Sequence, residues 1–226
     1  MGNPGLLGFG APAGTYPVSG VLQSTNTPLG IVTLAGMQPV IISPSGLPSN
    51  FSWINQAGAT LTPEDNYQLL TLPTGSGDNW RSLAFPVPSI PYTISAQFLL
   101  TGLRRENFSM IGIGWRNSSA LTRQHLIYGS WNELGYHVTN YSNDSGGYSG
   151  HPAVWELWPP TGGVLNLRIG DDGVNRSTYF SQDGKHWNLL YQAVRTDYLT
   201  PDQVTVTMNP CSIVTNALWL SWSVTH

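Results

Sequence analysis

The feature that most restricts this chain is a period of two. YTISAQF (92–98) sets Tyr92, Ile94, Ala96 and Phe98 on one side of an extended backbone and Thr93, Ser95 and Gln97 on the other, the pattern of a strand with one buried face. LNLRI (165–169), VTVTM (204–208) and LWLSWSV (218–224) repeat it, and further strands are expected near FSWIN, YQLLTL, WRSLAF, MIGIGWR, HLIYG, YHVTNY and AVWELW. No stretch combines helical spacing with caps. TPEDN (62–66) and LTPDQ (199–203) are expected as single helical turns or β-turns, their Pro presetting φ. About a dozen short runs separated by TGSGD, SNDSGG and PPTGG predict an all-β chain built as a two-sheet antiparallel β-sandwich.

The segment LRIGDDGVNRSTYFSQDGKHWNLLYQ (167–192) parses as strand, DDGVN turn, strand, QDGK turn, strand. Each turn centres on Asp-Gly, the pair that accepts the positive φ of a tight hairpin. Trp187, Leu189 and Tyr191 then share a face, so the Trp is expected to be a packing anchor. Asp183 and His186 fall at a hairpin tip, where a turn is the expected role and a catalytic one lacks both a pocket and an orienting group.

Charged residues make up only 9% of the 226, against about 25% in an ordinary domain. The first charged side chain is Glu64. Residues 1–46 are expected to form an extended, Gly/Pro-rich, uncharged arm preceding a sandwich of residues 47–226. LLGF, IVTL and PVIIS within that arm suit it to lie on a protein surface, either as edge strands of its own domain or as a docking or oligomerisation segment, since neutral groups are cheaper to bury than charges. A net charge of −3 offers no basic field, so nucleic acid is not an expected partner. Gly and Pro interrupt every apolar run of MGNPGLLGFGAPAG, so neither a signal peptide nor membrane insertion is expected. The single cysteine, Cys211, excludes an internal disulfide and is expected to be a small buried residue.

Catalytic patterns are lacking. A glycosidase needs paired carboxylates, yet the four Glu (64, 106, 133, 156) show no such spacing, and Glu156 in VWELW is an isolated candidate. Asp171, Asp172 and Asn175 suit a turn better than a calcium loop, and the five His have no zinc spacing. Nucleophile elbows and phosphate loops are missing too. No catalytic residue, metal or cofactor is expected.

What remains is aromatic. WNELGYHVTNYSNDSGGYSGHPAVWELW (131–158) holds three Trp, three Tyr and two His with three acids, the parts from which stacked, hydrogen-bonded sugar sites are made. Trp131, Tyr136, His137, Tyr141, Tyr148 and Trp158 are the candidate glycan-binding residues. Alternation puts Tyr136 and Val138 on one face and His137, Thr139 and Tyr141 on the other, so one set must point away from the core.

The order FSWINQAGAT, LAFPVPSIPYTISAQFLL, SMIGIGWRNSS, LNLRIGDDGVNRSTYFSQDGKHWNLL, LTPDQVTVTMN resembles the concanavalin A-like lectin/glucanase jelly rolls, closest to those of tailed-phage virion proteins, over roughly residues 48–226. The resemblance implies a jelly-roll sandwich and a virion setting: a capsid decoration, tail-fibre or baseplate component. On this reading the chain contacts other virion proteins through its arm, forms a homo-oligomer such as a trimer, and turns the sandwich outward toward host surface glycans. A free carbohydrate-binding lectin module is the first alternative and a glycoside hydrolase the second.

Overall fold

The computed structural model describes residues 50–65, 67–75, 79–101, 109–130, 134–156, 163–211 and 214–226. The expected arm, residues 1–46, lies outside them, as do Trp131 and Trp158. Fourteen strands follow one another: β1 (Ser52–Ile54), β2 (Thr60–Pro63), β3 (Gln68–Leu72), β4 (Arg81–Pro86), β5 (Tyr92–Leu100), β6 (Met110–Arg116), β7 (Arg123–Ser130), β8 (Leu134–Tyr141), β9 (Tyr148–Glu156), β10 (Val164–Asp171), β11 (Asn175–Ser181), β12 (Asn188–Val194), β13 (Gln203–Asn209) and β14 (Thr215–Thr225). They form two seven-stranded antiparallel sheets. Sheet A runs β1-β4-β13-β6-β7-β8-β9 and sheet B runs β12-β11-β10-β5-β14-β3-β2.

The core lies between the sheets because the alternation sends one residue in two inward from each. Ile94, Ala96 and Phe98 of β5 meet Leu165, Leu167 and Ile169 of β10 on one side, and Ile111, Ile113, Trp115, Val204 and Val206 of sheet A on the other. β14 departs from strict alternation. Its pairing with β5 shifts register between Trp219 and Ser221, and that bulge turns both Trp219 and Trp222 into the core, their rings 5.6 Å apart. β2 is too short to show a period, and its Pro63 is tolerated because β2 is an edge strand. Thr62 and Pro63 of TPEDN therefore close a strand rather than open a helical turn.

The two Asp-Gly connections are built by side chains. Asp172 Oδ1 accepts the amides of Val174 and Asn175, and Gly173 has φ +93°. The second connection is wider than the tight turn expected. It spans residues 182–187 because Asp183 Oδ1 accepts the amides of Lys185 and His186, while Ser181 Oγ accepts those of Asp183 and Gly184. His186 Nδ1 lies 2.6 Å from Asp183 Oδ2, and the imidazole is almost wholly exposed. The polar knot is a turn. Trp187 packs on Arg168, whose guanidinium is 3.8 Å from the ring centre, and Leu189, opposite Tyr179, is half exposed. The ladder shifts register between Thr178 and Tyr179, so Tyr191 leaves the face expected of it and packs against the core.

Candidate functional site

Sheet A has an outer face unlike an ordinary solvated one. Its register aligns Thr207, Gly112, Ile127, His137 and Val154 in one row, Thr205, Gly114, His125 and Thr139 in the next, and Gln203, Arg116, Arg123, Tyr141 and Tyr148 in a third. The glycines of β6 are required there. A Cβ on Gly112 would stand 2.7 Å from Ile127 Cγ2, and one on Gly114 2.7 Å from His125 Cδ2, so the side chains of β7 occupy the space that β6 leaves.

Trp80, just before β4, packs with its ring 5.6 Å from His125 and 5.1 Å from Tyr141. The Arg123 guanidinium sits 5.2 Å from the Tyr141 ring centre, a cation–π geometry. Trp80, Arg123 and His125 are all fully buried. His125 Nε2 lies 3.3 Å from Thr205 Oγ1, while Nδ1 has no partner among the described residues. Burial first, then the Arg123 charge, holds the imidazole well below its usual range, and it is neutral.

The SNDSGG connection between β8 and β9 is clamped beside this cluster. Arg116 donates to both Asp144 oxygens, at 2.8 and 2.6 Å, and its third nitrogen donates to Gln203. Asn143 Oδ1 accepts the amides of Ser145 and Gly146. The face opens at its β9 edge. Tyr148 is 51% exposed and its ring is 4.8 Å from His151, which in turn lies 5.4 Å from His137. His151 Nδ1 is 2.8 Å from Thr139 Oγ1. Burial and then the neighbouring His151 lower the His137 pKa to about 4.

Three of the six sequence candidates, His137, Tyr141 and Tyr148, thus share one face. Tyr136 does not. It is fully buried and stacked on Phe180 at 4.5 Å, and alternation assigns it to the core. Trp80, Arg123, His125 and His151 join the face without having been singled out. The signal was present in MIGIGWR, where alternate glycines mark a strand face with room for its neighbours' side chains. Glu156 ends β9, and its side chain lies outside the described residues.

Six of the seven described aspartates have structural roles. Asp144 pairs with Arg116, Asp171 with Arg195 at 2.9 Å, Asp197 accepts from Tyr191 and Asp202 from the Ser118 amide. Asp172 and Asp183 shape turns. Among the described residues no group of three or more His, Cys, Asp or Glu is placed to hold a metal ion.

Known structures share this architecture. The exoplasmic/lumenal domain of VIP36, bound to Ca²⁺ and Man3GlcNAc, superposes with a TM-score of 0.54 at 9% identity, over 77% of this chain and 83% of that one. The CBM2 module of the evolved Dit of Lactobacillus casei BL23 phage J-1 gives 0.51 at 8% identity, over 81% and 92%. The GH43 protein BlXynB of Bacillus licheniformis gives 0.58 at 13% identity over 81% of this chain, which spans 38% of that protein. No family model and no curated relative matches the sequence. At these identities the likeness defines the fold: a concanavalin A-like, lectin-like β-sandwich.

Proposed function

We propose that this chain is a non-catalytic carbohydrate-contact module, and that it works as an outward-facing structural or adhesion component of a tailed-phage particle. The observation that carries the first part is the outer face of sheet A. It grades from a buried Trp80–Arg123–Tyr141 interior to an open rim of Tyr148 and His151, offering a ring to stack on beside imidazole and hydroxyl groups. The sugar-bound VIP36 domain and the phage Dit module share the architecture and support the reading. The virion setting rests on the sequence resemblance, with the Dit module in accord. The arm would then dock on neighbouring virion subunits.

A hydrolase reading is favoured by the GH43 likeness, but the matched part is a fraction of that protein, and Asp144, Asp171, Asp172, Asp183, Asp197 and Asp202 serve ion pairs, hydrogen bonds and turns. A glycan array probed with the full chain separates the readings. Selective binding is expected, weakened about tenfold by Tyr148→Ala, the worth of one stacking contact. Cleavage of an arrayed glycan, or no binding at all, would overturn it.

A further inference from the structure

The opposite face of the molecule carries an organised surface of its own. On the outside of sheet B the registers align three rows across the strands. The first is Thr225, Thr93, Gly170, Ser177 and Gln192; the second is Ser223, Ser95, Arg168 and Tyr179; the third is Ser221, Gln97, Asn166 and Ser181. Arg168 is the single charge among them.

Two rows are already engaged. In the third, Ser221 Oγ donates to Gln97 Oε1 at 2.9 Å and Gln97 Nε2 to Asn166 Oδ1 at 2.8 Å. The β11–β12 connection packs against this row, for a Cβ on Gly184 would stand 3.1 Å from Asn166 Oδ1 and 3.3 Å from Gln97 Nε2. In the second row Arg168 is held by Ser95, at 2.8 Å, and by Trp187. The first row is the least covered, with Gln192 and Thr225 exposed, Thr93 and Gly170 partly so and Ser177 buried, and a cavity of about 220 Å³ lies over it, lined among others by Thr93, Gly170, Asp172, Ser177, Tyr179 and Gln192.

From this geometry we infer that the Gly170 cavity is a second binding site, for a single neutral sugar ring of a glycan. Gly170 leaves a bare patch of backbone as the floor, and the half-buried Tyr179 supplies an aromatic wall. Thr93, Ser177 and Gln192 present groups that both donate and accept, as sugar hydroxyls require. Gln192 is preset by its 2.9 Å bond to Ser177. The Asp172 carboxylate at the rim accepts hydrogen bonds from hydroxyls alongside the Val174 and Asn175 amides its Oδ1 already holds, and its charge repels acidic sugars. The volume is below the roughly 300–1,000 Å³ of drug-sized sites, which suits one ring with the rest of the chain outside. This site is independent of the sheet A face.

The position also provides its own control. A Cβ on Gly170 would meet nothing closer than Tyr92 O at 3.4 Å, so Gly170→Val fills the cavity with a residue that strands favour and leaves the fold in place. Titrating the isotopically labelled full chain with the methyl glycosides of glucose, galactose, mannose and N-acetylglucosamine should, for at least one of them, move the amide resonances of Gly170, Ser177 and Gln192 saturably. Gly170→Val should abolish the shifts of Ser177 and Gln192, Gln192→Ala should weaken binding about tenfold, the value of about one hydrogen bond, and the Tyr148→Ala protein should give the same shifts at these three amides as the parent chain. Silence with all four glycosides, shifts that survive both variants, or equal response to methyl glucuronide would overturn the inference. Loss of array binding in Tyr148→Ala with these shifts intact would set the two sites apart.

Discussion

His137 and His151 show how burial converts a residue type into a condition of stability. The His137 pKa falls from 6.5 to about 4, and that of His151 is lowered too, mainly by burial. The fold thus disfavours their protonation, so between about pH 4 and pH 6.5 the unfolded chain binds more protons than the folded one. Stability from this source is complete above pH 6.5 and is lost as the pH falls through that window, by about 3 kcal/mol for His137. Thermal unfolding should show a falling melting temperature from neutral pH toward pH 4, and His137→Gln should flatten the slope. An unchanged slope in that variant would show that the imidazole is not the titrating group. Trp80→Ala should cost about 3–5 kcal/mol by denaturant unfolding, because it empties the centre of the outer cluster.

At the scale of the element, the β11–β12 connection is the most instructive piece. An Asp, a Lys, a His and a Trp within a few residues suggest chemistry, and the structure gives each a mechanical task. Asp183 holds two backbone amides and the His186 imidazole, and these bonds, the imidazole first, keep its carboxyl well below the usual range. Gly184 holds φ at +72°, and Trp187 lies on Arg168. Gly184→Ala should therefore destabilise by about 1–2 kcal/mol through the left-handed backbone, read by chemical denaturation, while the sugar binding proposed for the sheet A rim stays unaltered. A variant with unaltered stability would contradict the turn geometry.

For the whole molecule, every strand described lies at or after Ser52, and the two sheets bury their faces against each other. Deleting residues 1–46 should leave the β-sheet circular dichroism spectrum intact and abolish assembly, seen as a monomeric mass by light scattering. Loss of the β signal would instead make the arm part of the sandwich; a retained oligomer would move the assembly contact elsewhere.

The sequence by itself determined the class of fold, because period-two alternation over segments such as YTISAQF and MIGIGWR can bury its apolar face only by packing sheet on sheet, and Asp-Gly pairs mark where the chain reverses. It also separated Tyr136 from His137, since neighbours in a strand point to opposite faces. Tertiary structure decided which of those faces became the candidate site. Trp80 meets His125 and Tyr141, and Gly170 stands between Thr93 and Ser177, through cross-strand register between segments far apart in the chain. That register is fixed by the packing of the whole sandwich, and apart from the alternate glycines of MIGIGWR it leaves no local trace in the residues it brings together.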